Sequence, residues 1–181
     1  LTVFRDQQFS GDMRSAAVAR IDNANGLRAH QFHEDSGPLA HPVRPESFVE
    51  INNFYTGTVY EKGAEVIGML KRLVGDDTYY TACNLYFERH DGDAATIEDW
   101  LAVFEDASGR DMSQFKLWYS QAGTPRITVS DSYADGIYTL TLAQDTPPTP
   151  GQPDKHPLVI PIAVGLLDAD GTEVEATQVM E

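Results

Sequence analysis

The sequence predicts an α+β protein in which a helical first part is followed by a strand-forming second part. From Leu1 to about Gln121 the apolar residues recur at the three-to-four spacing of a helix face. From Arg126 onward they alternate at the spacing of a strand. Gly123-Thr124-Pro125 separates the two patterns and continues neither.

In chain order, Met13, Ala17, Ile21, Ala24 and Leu27 predict a first apolar helical stripe. Val59, Gly63, Val66, Ile67, Leu70 and Val74 predict a second, stopped by Gly75. Tyr79, Cys83, Tyr86, Phe87 and His90 form a third, with Asp76 and Asp77 ahead of it as candidate caps. Thr96 and Asp99 resemble a capping box before Ile97, Trp100, Leu101 and Phe104. A short helix follows around Phe115 to Tyr119. Ile127 and Val129, then Tyr138, Leu140 and Leu142, read as two strands joined by a turn at Asp135-Gly136. Thr146 to Pro157 carries five prolines and has the composition of a linker. Two strands before it cannot stand alone as a sheet domain, so we read it as a long loop within one β domain that leads into Val159 to Leu167. The expected division is therefore 1–123 and 124–181.

Charge excludes several function classes. The 181 residues carry 13 basic and 28 acidic side chains, a formal charge of -15 that is spread over both parts. Such a surface repels phosphate backbones and anionic lipid, so neither nucleic acid nor a membrane surface is an expected partner. The longest apolar run, Leu158 to Leu167, is interrupted by Pro161 and is too short to span a bilayer. The lone Cys83 excludes an internal disulfide and agrees with a reducing, cytoplasmic compartment. Leu1-Thr2-Val3-Phe4 reads as the interior of an apolar segment already under way, so the chain is expected to be a piece of a longer one.

Catalytic signatures are sparse. The histidines are His30, His33, His41, His90 and His156, and none sits in a His-Glu-x-x-His helix motif. His30 and His33 with Glu34 cluster near a helix end, but a zinc site needs three or four converging ligands, and a solvated helix end accounts for them. No nucleophile elbow, phosphate loop or Cys-x-x-Cys pair is present. The carboxylate pairs Glu34-Asp35, Asp76-Asp77 and Asp91 with Asp93 read as caps and solvated turns. Cys83 reads as a small core hydrophobe, and Trp100, Trp118 and Tyr119 as core aromatics.

One run is denser in polar and aromatic residues than packing requires: Asn52 to Ile67, NNFYTGTVYEKGAEVI. With LTVFRDQQFS at Leu1 to Ser10, QFHEDSGPLAHPVRP at Gln31 to Pro45, LYFERHDGDAAT at Leu85 to Thr96 and FKLWYSQAGTP at Phe115 to Pro125, it resembles the zinc aminopeptidases of the aminopeptidase N family. The likeness covers nearly the whole chain and weakens after about Ser130.

The resemblance implies the helical lobe of a thermolysin-like catalytic domain over 1–123 and the start of an incomplete β-sandwich over 124–181. It implies a zinc-dependent aminopeptidase that releases N-terminal residues from peptides, with zinc bound by two histidines and a glutamate placed ahead of Leu1. No zinc is expected on these residues themselves, and the isolated segment is expected to be inactive. The family's catalytic tyrosine falls on Tyr60, whose phenol would hydrogen-bond the oxyanion formed when zinc-held water attacks the scissile carbonyl. Tyr55 matches a residue lining the pocket for the first substrate side chain, and Asp6 matches an acceptor for a zinc-binding histidine. The implied partners are peptide substrates and the remaining domains of the same polypeptide. Two alternatives stay open: a non-catalytic acidic protein-interaction module, and an epoxide hydrolase sharing the same zinc framework.

Overall fold

The computed structural model describes residues 1–181. Seven α-helices precede four strands: α1 Thr2–Met13, α2 Ala16–Gly26, α3 Phe32–Ser36, α4 Gly63–Val74, α5 Asp76–His90, α6 Ile97–Ser108, α7 Leu117–Ser120, β1 Arg126–Ala134, β2 Ile137–Asp145, β3 Ile162–Leu167 and β4 Glu173–Met180. The α+β reading is correct. Two π-helical turns, Leu27–Gln31 and Thr58–Lys62, feed directly into α3 and α4. No periodicity argument anticipates them, because a π turn preserves the general look of a helical pattern while shifting its phase.

The helical core lies where α4, α5 and α6 meet. Val66 and Leu70 of α4, Tyr79 and Ala82 of α5, and Val103 and Phe104 of α6 are all fully enclosed. Phe4 of α1 packs edge-on against Tyr79, with ring centroids 5.9 Å apart. Tyr86, Trp100 and Phe104 continue the aromatic seam with T-shaped contacts at 5.1 and 4.7 Å, the geometry that ring quadrupoles favour. Trp100, Trp118 and Tyr119 are thus core residues, as read. Cys83 is half-buried against the same cluster, where burial raises its thiol pKa.

The cap readings divide. Thr96 accepts from the Asp99 amide at 3.2 Å, and the Asp99 carboxylate accepts from the Thr96 amide at 2.8 Å, so the capping box is closed in both directions. Thr96→Ala is expected to cost about 1 kcal/mol, read as a lower midpoint in thermal denaturation followed by circular dichroism. Asp76 and Asp77 instead lie in the first turn of α5, and the N-cap is Gly75, which makes no side-chain capping bond. They serve that helix end by charge alone.

The first predicted stripe is the main departure. The helix breaks at Arg14, and Ser15 caps a new one by accepting from the Val18 amide. α2 has no buried residue, and Met13, Val18 and Ile21 are all exposed. The spacing correctly gives helix here, but of the stripe only Ala24 and Leu27 are half-buried, and Met13, Ala17 and Ile21 stay exposed.

In the second part β1 and β2 form an antiparallel hairpin in register from Arg126 opposite Asp145 to Ala134 opposite Ile137. Asp135 and Gly136 both have positive φ, 52° and 80°, the backbone of the hairpin turn that Asp-Gly favours. β3 and β4 form a second hairpin, and the two are separate two-stranded sheets. Both hairpins leave edges unpaired, with apolar residues such as Tyr133, Ile137, Leu167 and Val174 exposed.

The proline-rich loop is tied to the helical part. Gln121 donates to the His156 carbonyl and accepts from its amide, Trp118 Nε1 donates to the Val159 carbonyl at 2.7 Å, and Leu158 is buried in the helical core. Lys155 donates to the Ala122 carbonyl and to Thr149 Oγ1. A flexible linker would leave these backbone groups to solvent; here they have protein partners.

Candidate functional site

The 52–67 run folds as a short 3₁₀ turn, Ile51–Phe54, an extended stretch, and the π turn Thr58–Lys62 that opens α4. π turns are rare and recur at functional sites because the extra residue turns a side chain out of the helical series. Tyr60 is the central residue of this one. It is 42% exposed, and its ring stacks on Tyr55 at 6.3 Å with the planes 26° apart. Tyr55 in turn meets Phe54 edge-on at 5.9 Å.

Tyr60 lines a largely apolar cleft of about 670 Å³ together with Leu1, Val3, Phe54, Val59 and Ile67. Polar groups enter it at Arg44, Thr96 and Glu98. Glu98 accepts from Arg44 at 2.8 Å and from Lys116 at 2.9 Å, and these two cations hold its carboxyl down to about 2. Tyr119 and Trp100 form part of the same wall, and neither the Tyr119 hydroxyl nor the Trp100 indole N–H has a hydrogen-bond partner in these residues. Burial raises the Tyr119 phenol pKa, so it stays neutral at physiological pH.

The turn that carries Tyr60 is braced from α3 and the π turn before it. At its first residue the Thr58 amide donates to Glu34 Oε1 at 2.7 Å, and Gln31 Nε2 donates to Thr58 Oγ1 at 3.2 Å. At its last residue Lys62 Nζ donates to Asp35 Oδ2 at 2.6 Å and to the Gly123 carbonyl at 2.9 Å. Asp35 also accepts from the Gly123 amide and the Thr124 hydroxyl. The Asp35 side chain is fully enclosed and that of Lys62 only 7% exposed. Burial by itself would raise the Asp35 carboxyl, but the Lys62 ammonium and the hydrogen bonds overcome it and hold the group below its ordinary value. Burial lowers the Lys62 ammonium, against the pull of Asp35.

The reading of Glu34-Asp35 as a solvated pair is therefore wrong. One carboxylate holds a backbone amide and the other sits in a buried ion pair, because α3 turns this face onto the Tyr60 turn rather than to water. A signal for this exists in the sequence: Lys62 falls on the phase of the Val59, Val66 and Leu70 stripe, and a charge at a core position needs a partner. The partner is 27 residues away and no local rule names it.

His30 and His33 are both exposed on the first π turn and α3. His41 bonds Thr56 Oγ1 at 2.8 Å and approaches Glu34 at 3.9 Å, bracing the stretch ahead of Tyr60. Asp6 is exposed on α1. No group of three or more His, Cys, Asp or Glu side chains that could hold a metal ion is found in the structure.

Residues 1–119 match the Peptidase family M1 domain. The chain belongs to peptidase family M1. Residues 123–181 match a separate family described as a domain of unknown function (DUF3458) with an Ig-like fold. Among curated relatives, the chain is 55% identical over 173 residues to aminopeptidase N of Escherichia coli K12, covering 94% of this chain and 20% of that protein. To aminopeptidase N of Caulobacter vibrioides it is 59% identical over 181 residues, covering 99% of this chain and 21% of that protein. The crystal structure of Legionella pneumophila aminopeptidase A in complex with aspartic acid superposes with a TM-score of 0.78 at 25% identity, over 99% of this chain and 19% of that one. The chain thus spans about a fifth of the length of these relatives.

Proposed function

We propose that this chain is the part of a zinc-dependent aminopeptidase that supplies the oxyanion-stabilising tyrosine, Tyr60. The observation that carries the reading is the setting of that residue. An exposed phenol stands at the wall of an apolar cleft, on a π turn braced at both ends by buried or half-buried polar side chains. A preorganised donor of this kind stabilises charge that develops only as water adds to a peptide carbonyl, and it need not reorganise when that charge appears. Tyr55, stacked on Tyr60, is proposed to border the pocket for the first substrate side chain, and Asp6 to accept a hydrogen bond from a zinc-binding histidine. Residues 1–123 would be the end of the catalytic domain and 124–181 the start of a β-sandwich domain.

Zinc is the cofactor proposed for the whole enzyme, with its ligands on polypeptide outside these residues. Peptides bearing a free N-terminus are the proposed substrates, and the other domains of the same polypeptide the proposed partners of the open faces. The proposed compartment is the cytoplasm, on the family likeness. No helix is long and apolar enough to cross a membrane.

Comparison of the isolated segment with the intact polypeptide tests the proposal. The 181-residue chain is expected to hold no stoichiometric zinc by metal analysis and to leave aminoacyl p-nitroanilides uncleaved, whereas the intact polypeptide binds zinc and cleaves them. Hydrolysis by the isolated segment would refute the division of labour, and an intact polypeptide without peptidase activity would favour the interaction-module alternative.

A further inference from the structure

We infer that Asp35 and Lys62 are positioning residues for Tyr60, and that their ion pair makes the placement of the phenol depend on how the strand region is seated on the helical lobe. The inference rests on the proposed role of Tyr60 and adds a coupling to it. Three observations carry it. Lys62 closes the same π turn whose central residue is Tyr60, two positions away. Its ammonium bridges the turn to Asp35 on α3 and to the carbonyl of Gly123, where the chain leaves the helical lobe for β1. Asp35 completes the circuit by accepting from the amide of Gly123 and the hydroxyl of Thr124.

The backbone at this node is itself constrained. Gly123 has φ +94°, and a Cβ there would meet Thr149 Cγ2 at 3.1 Å and Thr146 Cγ2 at 3.3 Å. Only glycine adopts this conformation in this space without strain, so the carbonyl and amide that meet Lys62 and Asp35 are held from the strand side by the proline-rich loop. Phenol position follows from backbone position here, because the Tyr60 hydroxyl has no hydrogen bond to hold it and its ring stacks on Tyr55. Within the turn the Val59 and Tyr60 amides donate only to the neighbouring Thr56, so the ties at Thr58 and Lys62 are what fasten it to distant parts of the chain. If the Lys62 end is released, the donor moves relative to the walls that Val3 of α1, Tyr86 of α5 and Trp100 of α6 supply to the cleft. A sub-ångström to 1 Å displacement of a catalytic group costs on the order of 10- to 100-fold in rate.

The test is a double-mutant cycle in the intact enzyme containing this segment, with kcat referred to folded protein and measured on an aminoacyl p-nitroanilide. Lys62→Met is expected to lower kcat roughly 10- to 100-fold, with KM within about twofold. Added to Tyr60→Phe it is expected to lower kcat no further, because it acts through a donor already removed. Hydrogen exchange of the amides from Thr58 to Gly63 is expected to accelerate in Lys62→Met more than that of α6. Multiplicative losses in the double variant, or full kcat in Lys62→Met, would overturn the coupling while leaving the Tyr60 role standing. A fully active Tyr60→Phe would instead remove the Tyr60 role, and the coupling with it. If Lys62→Met does not fold, Thr124→Val, which deletes only the hydroxyl bond to Asp35, decides the same question. It is expected to show a loss of about threefold that vanishes in the Tyr60→Phe background, and equal loss in both backgrounds overturns the inference.

Discussion

Tyr60→Phe in the intact enzyme is expected to lower kcat on the order of 100- to 1,000-fold while changing KM little. The substitution removes one hydroxyl and leaves the ring, so the stack on Tyr55 and the apolar wall of the cleft are kept. What is lost is a hydrogen bond made to the oxyanion but not to the ground-state carbonyl, and an interaction made only in the transition state appears in kcat. Folding should be unaffected, because the hydroxyl belongs to a residue that is 42% exposed and has no protein partner to orphan. Steady-state kinetics beside a thermal melt separate the two effects. A variant with normal kcat would show that Tyr60 is a packing residue of the cleft wall, and a variant with raised KM alone would make it a substrate-binding one.

The largest effect on stability is expected from Asp35→Asn. It leaves Lys62 enclosed with no counter-ion, and breaking a buried pair by removing one partner costs about 3 to 5 kcal/mol. Equilibrium denaturation in urea measures it as a lower midpoint with an unchanged slope. The pH dependence has a definite sign. Lys62 has a folded pKa lowered by burial, and without Asp35 the opposing attraction is gone, so in the variant the unfolded chain binds the extra proton. Stability of the variant therefore rises with pH from the lowered Lys62 value toward the ordinary lysine value of about 10.4, and the deficit narrows there. On the acid side Asp35 of the parent has a lowered pKa, so its contribution is fully present above about 3.9 and is lost as pH falls through the lowered value. The deficit narrows at that end too, and is widest near neutrality. A deficit that is the same at all pH values would show that shape, not charge, holds the pair in place.

Much of this molecule is legible in its sequence because the deciding interactions are local. The α4 stripe, the Thr96–Asp99 box and the Asp135–Gly136 turn each depend on residues within a few positions of one another, and each is found where the spacing puts it. Tyr60 stands out in the 52–67 run through the family likeness, and it lines the cleft. Periodicity fails where burial depends on what covers a face. The stripe from Met13 to Leu27 has helical spacing, yet its side chains Met13 and Ile21 are 68% and 59% exposed.

The sequence by itself determined the α+β order of elements, the helix ends that caps specify, the first hairpin, and the family likeness that draws attention to Tyr60. Tertiary structure alone decided the two π turns, the fastening of the proline-rich loop to the helical lobe, and the burial of Asp35. The physical reason is distance along the chain. Asp35, Lys62 and Gly123 meet through hydrogen bonds that span 27 to 88 residues. A carboxylate next to another carboxylate looks solvated until the fold brings an ammonium and a backbone amide to it.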